Sequence, residues 1–117
     1  MLRLLRATLN SWNGLRAAAR SEQAFREEVV ALLIAIPAAF LVATEMWRRV
    51  ALIGVVLLLM IVELLNTAVE KLADRLTLDH DKQIGQVKDM GSAAVGVALL
   101  MAGAFWIFAI VERLGFV

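Results

Sequence analysis

The chain has 117 residues, 62% of them hydrophobic, with a mean hydropathy of +0.79 and a formal net charge of only +1, whereas soluble domains are ~45–50% apolar. A water-soluble globule this small lacks the interior to hide so much apolar surface, and a disordered chain would not carry it. With no cysteine, one proline and seven glycines, disulfides, thiolate sites and loop-rich folds are excluded, and long apolar runs favour an all-α integral membrane protein over a barrel.

At the N-terminus Leu2, Leu5, Leu9 and Trp12 cluster on a helical wheel, with Arg3, Arg6, Asn10 and Asn13 on the adjoining sector. That pattern predicts an amphipathic helix lying on the membrane. Gly14 is expected to interrupt it, with Arg16–Glu28 forming a second surface helix, so residues 1–28 are read as surface helices. Arg3 and Arg6 break any apolar core and no small-residue cleavage site follows, so the segment does not read as a signal peptide.

Three spans are predicted, at about 29–45, 48–70 and 90–112. The first holds sixteen uncharged residues, Val29 to Thr44, which reach ~24 Å at the helical rise and need help from flanking side chains to cross. Pro37 within it predicts a kink. The second holds twenty residues from Val50 to Val69, with Glu63 as the only ionisable group, and the third twenty-two, Met90 to Val111, with none. Both suit a hydrocarbon core of ~30 Å.

Trp47 and Trp106 are expected near the interfaces. Alanines recur at 31, 35, 39 and 43, and again at 94, 98 and 102, a spacing that predicts close helix packing. A charged loop is expected over about 71–89, and the whole chain reads as one domain, 1–117.

Arg3, Arg6, Arg16, Arg20, Arg26, Lys71, Arg75, Lys82 and Lys88 fall on one side of these spans, against Arg48, Arg49 and Arg113 on the other. The imbalance predicts that the N-terminus and the long loop lie in the cytoplasm and the C-terminus outside. No nucleic-acid partner is expected. His80, the only histidine, reads as a solvated loop residue.

Glu63, Asn66, Glu70 and Asp74 stand at i, i+3, i+7 and i+11, within about 60° of one another around a helix. Glu63 lies ~20 Å below the outer interface, near the depth where headgroups meet acyl chains. A carboxylate there costs ~2.5–3.5 kcal/mol unless protonated or paired, which marks it as functional and turns the seam toward a neighbouring chain. Glu70, with Glu22 and Glu28 on the same side of the membrane, offers hard oxygen ligands suited to magnesium. Lys88 and Asp89 add a cation and another carboxylate. These parts suit phosphoryl transfer to a lipid, although neither a Walker loop nor a kinase glycine-rich loop is present. A proton-coupled transporter built on Glu63, or a small assembly subunit, would use the same seam.

Four blocks carry a resemblance. Ser11-Trp12-Asn13-Gly14-Leu15-Arg16-Ala17-Ala18, Glu22-Gln23-Ala24-Phe25-Arg26-Glu27-Glu28, Glu63-Leu64-Leu65-Asn66-Thr67-Ala68-Val69-Glu70 and Lys88-Asp89-Met90-Gly91-Ser92-Ala93-Ala94 together closely resemble the prokaryotic diacylglycerol kinase family, over nearly the full chain. The resemblance implies a homotrimer with a surface helix and three spans per chain. It would use magnesium and ATP to phosphorylate the free hydroxyl of diacylglycerol, giving phosphatidic acid.

By the same resemblance Glu63 is the proton acceptor, and Glu22 and Glu70 are the metal-binding carboxylates. Arg3, Glu22, Glu70, Asp79, Asp81, Lys88 and Asp89 meet the nucleotide. Arg3, Trp12, Glu28, Glu63 and Ser92 meet the lipid, and Asn66 and Asp74 line the same site. Two positions depart from the family's pattern. His80 stands one place early in Asp79-His80-Asp81, and Asn10 replaces an aromatic. A sister branch phosphorylates undecaprenol, but Met90-Gly91-Ser92-Ala93-Ala94-Val95 is more similar to the diacylglycerol branch.

Overall fold

The computed structural model describes residues 1–76 and 81–116, and in them the chain is all helical. Four helices follow in order: α1 Leu2–Ser21, α2 Gln23–Val42, α3 Met46–Leu76 and α4 Lys82–Arg113. Asp79 and His80 lie outside the described residues. α3 is the centre of the packing, lying along α4 and then α2, while α1 meets the others chiefly at its junction with α2. The radius of gyration is 17.3 Å and the extents are 53 × 41 × 23 Å, against ~13 Å expected for the radius of a compact 100-residue domain.

Helix boundaries differ from the expectation in two places. α1 runs unbroken through Gly14, because one interior glycine costs only ~1 kcal/mol relative to alanine. The break falls instead at Glu22, whose backbone is extended at φ −117 and ψ 111. There is accordingly no separate surface helix over 16–28: residues from Gln23 onward already belong to α2. The corner is tied from both sides. Arg26 Nη1 donates to the carbonyls of Ala19 (2.8 Å) and Arg20 (3.2 Å), closing the end of α1. Lys71 Nζ donates to Ser21 Oγ at 3.1 Å and lies 3.6 Å from Glu22 Oε1.

The charged stretch 71–89 is helical over most of its length, as the last turns of α3 and the first of α4. Glu70 to Leu76 contains no glycine, proline or β-branched residue, so nothing in its backbone preference stops the helix. Charge marks where hydrocarbon ends, not where the helix does. At 31 and 32 residues, α3 and α4 reach ~46–48 Å and overshoot a ~30 Å hydrocarbon core. Asp81 starts α4 by accepting from the backbone N–H of Gln83 and Ile84 at 2.9 and 3.0 Å, an N-cap of the usual kind.

α3 and α4 are each long and apolar enough to cross a membrane. α2 keeps fourteen uncharged residues, Val29–Val42, after the charged Arg26, Glu27 and Glu28. Its alanine stripe packs over three of its four positions: Ala31 is exposed, Ala35, Ala39 and Ala43 are buried, and Ala39 and Ala43 form a core with Leu52 that Trp106 and Ala109 close from α4. Small side chains at this spacing let backbones approach in a medium that offers no hydrophobic drive. In the second stripe Ala98 is buried and Ala94 exposed. Trp106 turns inward rather than to an interface, donating its indole N–H to the Leu52 carbonyl at 3.1 Å. Trp47 is exposed.

The end of the bundle near Arg48 is closed by charge. Arg48 pairs with Glu112, and Arg49 donates to the Ala43 carbonyl at 2.9 Å while its guanidinium sits 4.5 Å above the Phe40 ring. A groove of about 460 Å³ lined by Leu52, Phe105 and Phe108 opens here, away from the carboxylate seam.

Candidate functional site

The site is built on α3. Its helical repeat sets Glu63, Asn66, Glu70 and Asp74 in one line, and neighbouring helices bring further groups to it. α2 starts at the extended residue Glu22, whose carboxylate caps no backbone N–H and instead lies beside Lys71. One turn and a half further on, Glu28 is the carboxylate of α2 that lies within electrostatic reach of Glu63. Glu63 in turn is within reach of Glu70 and Glu22. Four carboxylates from two helices therefore gather at one end of the α2–α3 interface.

Burial comes first and the Glu63 and Glu27 charges second in pushing the Glu28 carboxyl up to about 7. Its Oε1 is buried without a hydrogen-bond partner among the described residues. A group so placed is near half-protonated at neutral pH, which lowers its repulsion with Glu63.

Two further contacts order the seam. Asn66 Nδ2 donates to Glu70 Oε1 at 3.2 Å, orienting that carboxylate, and Lys88 of α4 forms an ion pair with Asp74. Lys88 and Gly91, three residues apart on α4, both face α3 at these points. Asp89 and Ser92 are exposed on another side of α4.

Among the described residues no three carboxylate or imidazole groups form a metal cage. Two carboxylates on adjoining helices fit a hard cation of another habit, one that keeps several waters and takes further oxygens from a phosphate. Glu22 and Glu70 are both within reach of Glu63, the first with Lys71 close by and the second held by Asn66.

Other expected residues stand apart. Arg3 and Trp12 are exposed on α1, and Arg3 has no ion pair with any described residue. Between α1 and α3 lies a groove of about 510 Å³, lined by Ser11, Gly14 and Leu15 on one side and by Leu64, Thr67 and Lys71 on the other. Among its lining residues Lys71 is the one that also meets a carboxylate, that of Glu22. Asp81 is engaged as the N-cap of α4.

Sequence reasoning counted Lys71 only as a charge. Its position one residue past Glu70, on the stretch expected as a loop, concealed a role that appears once α3 continues and swings it onto Ser21 and Glu22. The capping role of Asp81 was open to reading, since an aspartate before Lys82-Gln83-Ile84 is a plausible helix start.

Residues 9–110 match the family model for prokaryotic diacylglycerol kinase. The chain is 45% identical over 104 residues to the diacylglycerol kinase of Escherichia coli (strain K12), covering 89% of this chain and 85% of that protein. It is 44% identical over 104 residues to the diacylglycerol kinase of Pseudomonas aeruginosa, with the same coverage of 89% and 85%. With that of Haemophilus influenzae it shares 39% over 103 residues, covering 88% of this chain and 87% of the relative.

Proposed function

The chain belongs to the prokaryotic diacylglycerol kinase family, and from that premise we propose that the α2–α3 carboxylate seam is where its lipid substrate is phosphorylated. The chain is a membrane transferase, an ATP-dependent diacylglycerol kinase like the relatives it matches over 89% of its length. The observation that carries the site is the gathering of Glu22, Glu28, Glu63 and Glu70 at one end of the bundle, with Lys71 linking Glu22 to the groove under α1.

In this reading Glu63 takes the proton from the free hydroxyl of diacylglycerol as that oxygen bonds to the γ-phosphorus of ATP and the bond to ADP breaks, giving phosphatidic acid. Lys88, held in place by Asp74, faces the negative charge that moves with the phosphoryl group. Asn66 fixes Glu70. Glu22 and Glu70 would hold magnesium, which supplies charge neutralisation on the phosphates when bound. Arg3, Asp79, Asp81 and Asp89 are assigned to the nucleotide, and Arg3, Trp12, Glu28 and Ser92 to the lipid. The exposure of Arg3, Trp12, Asp89 and Ser92 in the single chain is consistent with a site completed by a neighbour.

The same considerations support a homotrimer with shared sites. Glu63 and Asn66 are only partly covered by their own chain, at a depth where an uncovered carboxylate is costly. α2 is assigned as a third span, its short apolar run extended by flanking residues. The excess of Lys and Arg on the seam side supports an orientation with that end and the N-terminus in the cytoplasm and the C-terminus outside, in a bacterial inner membrane.

The test is transfer of labelled γ-phosphate from ATP by purified protein in mixed micelles, with diacylglycerol and undecaprenol as separate acceptors. Diacylglycerol is expected to be the better acceptor, with transfer dependent on magnesium. Preference for undecaprenol would move the chain to the sister activity, and proton flux without ATP consumption would remove the kinase site altogether.

A further inference from the structure

α4 carries four glycines, Gly85, Gly91, Gly96 and Gly103, and their surroundings differ sharply. At Gly85, Gly96 and Gly103 a Cβ would meet nothing among the described residues within 4 Å. At Gly91 it would overlap Oδ1 of Asn66 and lie 3.3 Å from that residue's Cγ. The obstacle is not the loose end of a long side chain. Asparagine is short, and its amide is tied at the other end, where Nδ2 donates to Glu70 Oε1 at 3.2 Å.

The Asn66 oxygen is buried and accepts no hydrogen bond from an N–H or O–H among the described residues. The glycine hydrogen that takes the place of a side chain points at it, a C–H···O contact of the sort that recurs between closely packed helices. Glycine inside a helix costs ~1 kcal/mol relative to alanine, and Gly91 adopts no positive φ that would require it. Its use is explained by the approach of Asn66.

We propose that Gly91 is a positioning residue for Glu70: it leaves room on α4 for the Asn66 amide, whose other end sets the orientation of the Glu70 carboxylate. The inference rests on the reading of Glu70 as a metal-binding carboxylate. It gives the glycine of the Lys88-Asp89-Met90-Gly91-Ser92 block a task distinct from that of its charged neighbours, exerted across the α3–α4 interface.

The experiment is a double-mutant cycle on the full-length protein in micelles, read by Mn2+ affinity in the presence of a non-hydrolysable ATP analogue and without lipid acceptor. Gly91→Ala and Asn66→Ala should each weaken Mn2+ about 10–100-fold, the range for losing an outer support of a metal ligand. The double variant should bind no more weakly than Asn66→Ala alone, because the added methyl then has no amide to strike. It also relieves the overlap, so the cycle stays informative if Gly91→Ala alone folds poorly. Gly96→Ala, on the same helix with open space around it, should bind Mn2+ as the parent does. Parent-like affinity in Gly91→Ala, or Gly91 and Asn66 penalties that simply add, would overturn the inference while Glu70→Gln still weakens Mn2+. Unchanged affinity in Glu70→Gln would instead remove the ligand assignment on which the inference stands.

Discussion

A site that uses both Arg3 and Glu63 is expected to draw them from two chains if α1 keeps the direction it has here. Ser11 is the residue nearest the tip of α1 that lines the groove over α3. Arg3 lies eight residues beyond it on an unbroken helix, a further ~12 Å of rise, and is exposed there. In a closed trimer each of the three interfaces is the same heterologous pair, so a site taking Arg3 from one chain and Glu63 from the next has one copy per interface.

Arg3→Ala and Glu63→Gln proteins should each be nearly inactive alone. Unfolded together and reassembled at equal ratio, about a quarter of the interfaces receive both intact residues by random mixing. At a three-to-one ratio in either direction the fraction falls to about three sixteenths. The assay is labelled phosphate transfer to diacylglycerol after mixing at several ratios, and the expected result is a symmetric, bell-shaped curve peaking near a quarter of unmutated activity. Mixtures that never exceed the weighted average of the two parents would refute the shared site and place both residues in one chain, leaving the kinase assignment untouched.

Glu63→Gln keeps size and hydrogen bonding but removes the base, so kcat should fall ~10²–10⁴-fold with ATP binding retained; more than half the activity remaining would refute the assignment. Glu22→Gln or Glu70→Gln should raise the magnesium requirement while leaving the lipid KM nearly unchanged, and a magnesium dependence equal to the parent's in both variants would count against these ligands. Glu28, with its carboxyl pushed up to about 7, keeps in the folded chain a proton that the unfolded chain has already lost above the ordinary carboxylate pKa. Its contribution to stability therefore declines as pH rises toward and through about 7. Glu28→Gln should remove that decline, gaining stability relative to the parent between pH 5 and 8 in micelle denaturation, and a pH-independent difference would contradict it.

The sequence by itself determined the solvent, the class of fold and the family. Long uncharged runs around Leu52 and Ala98 can only be buried in lipid or against other helices, and four dense motif blocks identify the kinase family. It also determined the seam, since 3.6 residues per turn places Glu63, Asn66, Glu70 and Asp74 together on any helix that contains them. Tertiary structure decided where the helices end and what meets the seam. Charge reports the edge of hydrocarbon, so the reading of 71–89 as a loop was an inference about the membrane transferred to the backbone, which continues because its residues favour helix. Gly14 was overruled for a similar reason, a small local cost within a twenty-residue helix. Neither the Lys71 contact with Glu22 nor the overlap that reserves position 91 for glycine has a signature in local sequence. Both join residues from different helices, and their separation in the chain leaves only packing to bring them together.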